Sequence, residues 1–270
     1  MLVTAPISIV PTGVDTAFFA NGDGVAFRKS HGISKDAMVI GHLGRLAPEK
    51  NLDYLARAVA CAMERLPEAH FLVVGEGPSQ KEIAHIFDQA GLHDRLVLAG
   101  ETTGRTLADA YHAMNIFVFA SQSETQGMVL TEAMAAGVPV MALDASGVRE
   151  VVDDGRNGRL LEADASPERF AKVLVETAAA PDRLAEWIRR ARQTAKAFSR
   201  ERSAKELLRL YEKTVRARQE AGASKTQPID LWEKFLLACR AEWDLATEKA
   251  ESLLRAMDDE EQVVGIDEAG

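Results

Sequence analysis

The chain has 270 residues, 47% of them apolar, enough for one large domain or two small ones with a real core. Its net charge of −9 argues against a general nucleic-acid binder, which needs clustered Lys and Arg against phosphate. No apolar run reaches the length of a membrane span, the first residues lack the basic start of a signal peptide, and Cys61 and Cys239 stand alone without metal-like spacing, so a cytoplasmic protein with reduced thiols is expected.

Residues 1–37 are rich in Gly, Pro and Asp and read as an interdomain linker with a short helical segment near Val25–His31. From Ala37 strands and helices alternate. Strands are predicted at Met38–Leu43, His70–Val74, Leu96–Leu98, Ile116–Phe119, Val138–Leu143 and Arg159–Leu161, each short and apolar, as strands covered on both faces are. Helices are predicted at Asn51–Arg65, Ser79–Ala90, Thr106–Met114, Val129–Ala136, Val148–Val152 and Pro167–Ala178. Gly91 and Gly137 stand where helix C-caps are expected. This alternation predicts an α/β fold, a doubly wound parallel sheet of about six strands flanked by helices, spanning 38–219 with its C-terminal helices. Ligands of such sheets bind beyond the carboxyl ends of the strands. Arg45, Gly75 to Gly77, Glu101 and Ser121 to Gly127 all follow strands and are expected on one rim.

Residues 182–219 read as one or two basic helices broken near Phe198. A solvated face is the simpler reading of that charge, and peripheral contact with anionic lipid is the other. A linker at 220–230 leads to a helix over 231–257. There Trp232, Leu236, Cys239, Trp243, Ala246, Ala250, Leu253 and Met257 form a heptad seam suited to packing on this domain, a dimer or a partner. An acidic tail at 258–270 is expected to be disordered.

The most informative stretch lies between the fourth and fifth strands. Glu124 sits in a loop, Gly127 opens a helix, and Glu132 lies inside that otherwise apolar helix. The helix start offers unpaired N–H groups and partial positive charge to an anion. Carboxylates beside it can accept hydrogen bonds from hydroxyl groups. A ligand anionic at one end and hydroxyl-rich at the other, such as a nucleoside-diphosphate sugar, suits both. Glu124 read alone could instead be a first-turn acid, and Glu132 half of a structural ion pair. Arg45 after the first strand and Lys50 before the next helix are cations able to grip a diphosphate, or members of an ordinary surface loop. The histidines show no metal spacing, and His42, within the first strand, reads as a packed core residue.

The pattern Glu124-x7-Glu132 followed by Ala-Met-Ala-Ala-Gly-Val-Pro-Val resembles the donor-site signature of family 4 retaining glycosyltransferases with the GT-B fold. Four further motifs stand in the family's order: Val10-Pro-Thr-Gly-Val-Asp15, Gly41-His-Leu-Gly-Arg-Leu-Ala-Pro-Glu-Lys50, Phe71-Leu-Val-Val-Gly-Glu-Gly-Pro78 and Gly147-Val-Arg-Glu-Val-Val-Asp-Asp-Gly155. The resemblance implies the Rossmann-like, donor-binding half of such an enzyme. Arg45 and Lys50 would hold the diphosphate, Glu124 the sugar and Glu132 the ribose. Backbone groups of Gly127, Met128 and Val129 would face the phosphates, Gly44, Gly75, Thr125 and Gln126 would border the donor, and Leu98 and Glu101 would lie near the base. No metal or other cofactor is expected, and UDP and GDP, like the identity of the hexose, stay open. The acceptor half is not matched, so the chain is expected to need an N-terminal acceptor domain, in a longer protein or a second chain, for transfer. A non-catalytic nucleotide-sugar module that recruits a partner through its last helix is the alternative, and a sugar-nucleotide epimerase fits the carboxylate spacing less well.

Overall fold

A computed structural model describes residues 7–121, 124 and 126–220. The chain divides into two compact units between Tyr211 and Glu212, and the fold below is that of the first. Apart from Glu220, which ends the last described helix, the linker, heptad helix and acidic tail expected from the sequence lie outside the described residues.

The first two helices, α1 (Thr16–Phe19) and α2 (Gly24–Ser30), precede a strand–helix alternation. Strands β1 (Met38–Leu43), β2 (Ala69–Val74), β3 (Leu96–Leu98), β4 (Ile116–Phe119), β5 (Val140–Leu143) and β6 (Gly158–Leu161) form one parallel sheet in the order β3-β2-β1-β4-β5-β6. Between and after them run α3 (Leu52–Met63), α4 (Gln80–Gln89), α5 (Gly104–His112), α6 (Met128–Ala135), α7 (Ser146–Arg149), α8 (Pro167–Ala178), α9 (Pro181–Ala197) and α10 (Arg200–Glu220).

Each face of the sheet carries its own core. Leu52, Leu55, Val59 and Met63 recur at helical spacing along α3, and they pack with Ile83 and Phe87 of α4 and Phe170 and Leu174 of α8. The opposite core gathers Phe27 of α2, Tyr111 of α5, Leu130 and Met134 of α6 and Ala191 of α9. Covered on both sides, the central strands β4 and β5 have no polar face, which is why their sequences are continuous apolar runs.

Local chemistry sets the element ends. Ser166 caps α8 by accepting from the Arg169 N–H, with Pro167 in the first turn, and the helix has its predicted bounds. Gly91 and Gly137 adopt φ of 67° and 83° after α4 and α6. Strand β5 begins at Val140, later than predicted, because Pro139 has no N–H to give; its carbonyl still accepts from Phe117 N–H at 2.9 Å. Helix α7 starts before its predicted position, at Ser146, and has ended by Glu150.

Residues 14–37 are not the linker that their composition suggests. Val14, Phe19, Phe27 and Ile33 are buried in the sheet domain. Val14 accepts from Arg200 N–H and donates to the Phe198 carbonyl at 2.8 Å, a bridge seated in the break between α9 and α10. The buried Arg28 guanidinium donates to the carbonyls of Ala113, Lys35 and Ala37 and to Asn115 Oδ1. Scattered apolar residues among Gly and Asp carry no period, so the sequence hides this packing.

The strand order reverses between β1 and β4, where the neighbouring connections turn to opposite faces and a crevice opens at the carboxyl ends. The adjoining loops are laced together. Gly44 N–H donates to Val74 O, Leu46 N–H to Glu76 O and Gly75 N–H to Gly100 O. The loops after β1, β2 and β3 therefore form the single rim expected from their positions.

Candidate active site

The site begins where the loop after β1 meets the loop after β4. A single 3-10 turn at Pro48–Lys50 leads through Asn51, at φ 55°, into α3. Asn51 Nδ2 donates to Ala120 O at 3.3 Å, Ser121 Oγ to Glu49 O at 3.3 Å, and Lys50 Nζ to Glu124 Oε2 at 2.9 Å. These bonds close the crevice at one side and fix Lys50 against Glu124. The backbone of Glu124 is held in turn by Gly147 N–H, which donates to its carbonyl at 3.2 Å.

The crevice is a cleft of about 380 Å³. Gly44, Arg45, Lys50, Glu124, Gln126, Met128 and Val129, all expected from sequence, line it together with His42, Leu43 and Phe119. Arg45 is largely exposed and pairs with Glu49. Lys50 and Glu124 are more enclosed, with side chains 23% and 17% exposed, so their attraction is screened less than that of a surface pair. Gly127 caps α6 at φ 56°, a left-handed conformation that suits glycine, and the first two residues of α6, Met128 and Val129, line the cleft. The first N–H groups of that helix have no carbonyl a turn earlier to bond.

Glu132 lies one turn along α6, outside the cleft lining. Its Oε2 accepts from the hydroxyl of Tyr111, at 2.8 Å. Burial raises the Glu132 pKa above the usual carboxylate range, and the Tyr111 bond pulls in the other direction. Burial, reinforced by the Glu132 charge, pushes Tyr111 well above the usual phenol range. One carboxylate oxygen is thus tied to Tyr111. The sequence reading missed this partner, although a tyrosine in an apolar helix needs somewhere to place its hydroxyl.

The other expected residues that the structure describes are not among those lining the cleft. Glu101 is exposed after β3, Leu98 packs against the α3 and α4 core, and Thr125 lies outside the described residues. Gly75 has φ 125°, and a Cβ there would stand 2.0 Å from Gly44 O. That space is taken by the neighbouring loop's backbone, so this glycine makes a close approach between loops, whereas the resemblance placed it at the border of the donor. His42 is buried as expected of a core histidine, yet its ring also lines the cleft. Among the described residues no three His, Cys, Asp or Glu side chains gather as a metal site, and no helix is long and apolar enough to cross a membrane.

Fold and cleft together define a Rossmann-like α/β domain with cations, an acid and a helix start converging at its switch point. Residues 25–194 match the family model described as "Glycosyl transferases group 1", and the chain belongs to that family. The D-inositol 3-phosphate glycosyltransferase of Segniliparus rotundus is 34% identical over 214 residues, 78% of this chain and 47% of that protein. Its counterpart from Mycobacteroides abscessus is 39% identical over 163 residues, 58% of this chain and 36% of that protein. Among solved structures, Anabaena HepE in complex with UDP is similar with a TM-score of 0.68 at 24% identity, over 74% of this chain and 56% of that one. A glycosyltransferase from Rickettsia africae gives 0.69 at 17% identity, over 77% and 57%. The fold is that of one Rossmann-like half of a GT-B glycosyltransferase. The chain spans about half the length of the curated relatives it matches.

Proposed function

We propose that the cleft between β1 and β4 binds a nucleoside-diphosphate sugar, and that the chain is the donor-binding half of a retaining hexosyltransferase. The observation that carries this reading is the convergence of Arg45, Lys50 and Glu124 with the start of α6 in one cleft at the switch point. Arg45 and Lys50 place positive charge where a diphosphate would lie, and the helix start adds backbone donors. Glu124 accepts from sugar hydroxyls, and the second oxygen of Glu132 accepts from the ribose. During transfer the bond from the sugar anomeric carbon to the diphosphate oxygen breaks while the acceptor oxygen bonds that carbon on the same face. The acceptor proton passes to the departing diphosphate, whose growing charge Arg45 and Lys50 offset. The solved complexes of Anabaena HepE with UDP and with UDP-glucose support a donor of this class.

Transfer also needs a positioned acceptor, which a second domain supplies in this reading. Calorimetric titration with UDP, GDP and their hexose derivatives tests the binding. The chain binds one nucleotide series, and Arg45→Ala or Glu132→Ala weakens it by at least about tenfold, the equivalent of 1.4 kcal/mol. A chain that binds neither series overturns the proposal. Robust transfer by the chain alone overturns the need for an acceptor domain.

A further inference from the structure

His42 is a buried polar residue of the cleft that the proposed donor contacts leave unused. It is the penultimate residue of β1, 1% exposed, with its ring centroid 6.1 Å from those of Phe117 and Phe119. The ladder between β1 and β4 pairs Ile40 with Ile116 and Gly41 with Phe117. At the next position the imidazole takes over, with Nδ1 3.1 Å from Val118 O. A carbonyl only accepts, so Nδ1 carries the proton and Nε2 presents a lone pair. That Nε2 is buried with no hydrogen-bond partner among the described residues, while His42 is one of the residues lining the cleft with Lys50 and Glu124. Buried polar atoms in native proteins are almost always satisfied, so an unpaired acceptor at a ligand cleft asks for a donor from the ligand.

We propose that His42 is a specificity-determining residue whose Nε2 accepts a hydrogen bond from a hydroxyl of the donor's sugar. This rests on the nucleotide-sugar reading of the cleft and adds a recognition contact to it. The chemistry selects the sugar. Ionised diphosphate oxygens carry no proton to give, so they cannot satisfy a lone pair. Arg45 and Lys50 already donate to Glu49 and Glu124. A sugar hydroxyl beside Glu124 is a donor of the right kind, and it can give its proton to Nε2 while its oxygen accepts from elsewhere. Burial, with the Lys50 charge acting in the same direction, holds the imidazole pKa at about 4 against the Val118 bond. The ring therefore stays neutral at physiological pH and keeps the lone pair, where a charged imidazolium would have been a phosphate ligand.

The test compares each nucleotide sugar with its parent nucleoside diphosphate. His42→Asn keeps an N–H near the Nδ1 position for Val118 O and removes Nε2. His42→Phe keeps the aromatic stack and removes both nitrogens. By calorimetry, His42→Asn loses about tenfold in affinity for the nucleotide sugar and retains that for the nucleoside diphosphate. His42→Phe shows the same selective loss, which secures the result if either variant fails to fold. Deoxy analogues of the sugar then identify the hydroxyl: its removal weakens binding to the unsubstituted chain and has no further effect in His42→Asn. Equal losses for both ligands mark a structural role and overturn the proposal, as does an unchanged preference for the sugar. If the unsubstituted chain binds no nucleotide sugar, the reading of the cleft fails and this contact with it. If it binds and the variants discriminate as it does, only the His42 contact fails.

Discussion

Lys50 Nζ donates to Glu124 Oε2 across 2.9 Å, joining the loop after β1 to the loop after β4 inside the cleft. The proposed function assigns both residues to the donor, one to its diphosphate and the other to its sugar. Binding must therefore exchange this ion pair for two new contacts. Glu124→Gln removes the competitor for Lys50 and weakens the sugar contact at once. The nucleoside diphosphate alone is expected to bind about threefold tighter, and the nucleotide sugar about fivefold weaker, since hydrogen bonds to a neutral amide are roughly half as strong as those to a carboxylate. Isothermal titration of both ligands checks the opposite signs; shifts in the same direction would refute the exchange.

Tyr111 hydroxyl and Glu132 form a second pairing, one turn along α6 from the cleft lining. Tyr111→Phe preserves the ring packing and leaves a largely buried carboxylate oxygen without its donor. The expected cost is about 1–3 kcal/mol in urea unfolding, the penalty of stranding one buried polar group. Nucleotide affinity falls as well, because the carboxyl, already raised by burial, loses the one bond that favours its charged form.

Gly75 and Gly91 both adopt positive φ, at 125° and 67°, but only Gly75 faces backbone at close range. Gly91→Ala meets open space and is expected to cost about 1 kcal/mol, the strain of a left-handed alanine. Gly75→Ala drives a methyl group against Gly44 O and spreads the rim on which Arg45 sits. A loss above roughly 3 kcal/mol is expected, with weakened nucleotide binding. Paired chemical denaturation curves separate the two.

His42 gives the stability a defined pH dependence. Its pKa falls from 6.5 in the unfolded chain to about 4 in the folded one, chiefly through burial. Above pH 6.5 both states are neutral and the group contributes nothing to the slope. As pH falls from 6.5 towards 4, only the unfolded chain takes up the proton, so stability is lost, by roughly 3 kcal/mol over that window. His42→Phe should flatten this part of the curve, measured as the difference between urea midpoints at pH 7 and pH 4.5. A variant as acid-sensitive as the original chain would show that His42 is not the source.

The alternation of apolar runs and amphipathic helices was sufficient to determine the parallel doubly wound sheet, because strands buried on both faces and helices buried on one leave different periods in the sequence. Strong punctuation fixed particular ends, as with Ser166 and Pro167 before α8 and Gly91 after α4. The motifs around Arg45, Lys50, Glu124 and Gly127 likewise placed those residues on one rim, since chain positions just after parallel strands share an edge. Tertiary structure decided the rest. Phe19 and Phe27 entered the core from a segment whose composition resembles a linker, because burial there depends on the faces of α5 and α6 and leaves no local pattern. Tyr111 is twenty-one residues from Glu132, and Lys50 is seventy-four from Glu124; no spacing along the chain announces either pair. The nitrogen of His42 left without a partner among the described residues is equally invisible to the sequence: whether a buried polar atom finds a partner depends on every atom around it, and only the folded neighbourhood of β1 and β4 decided this one.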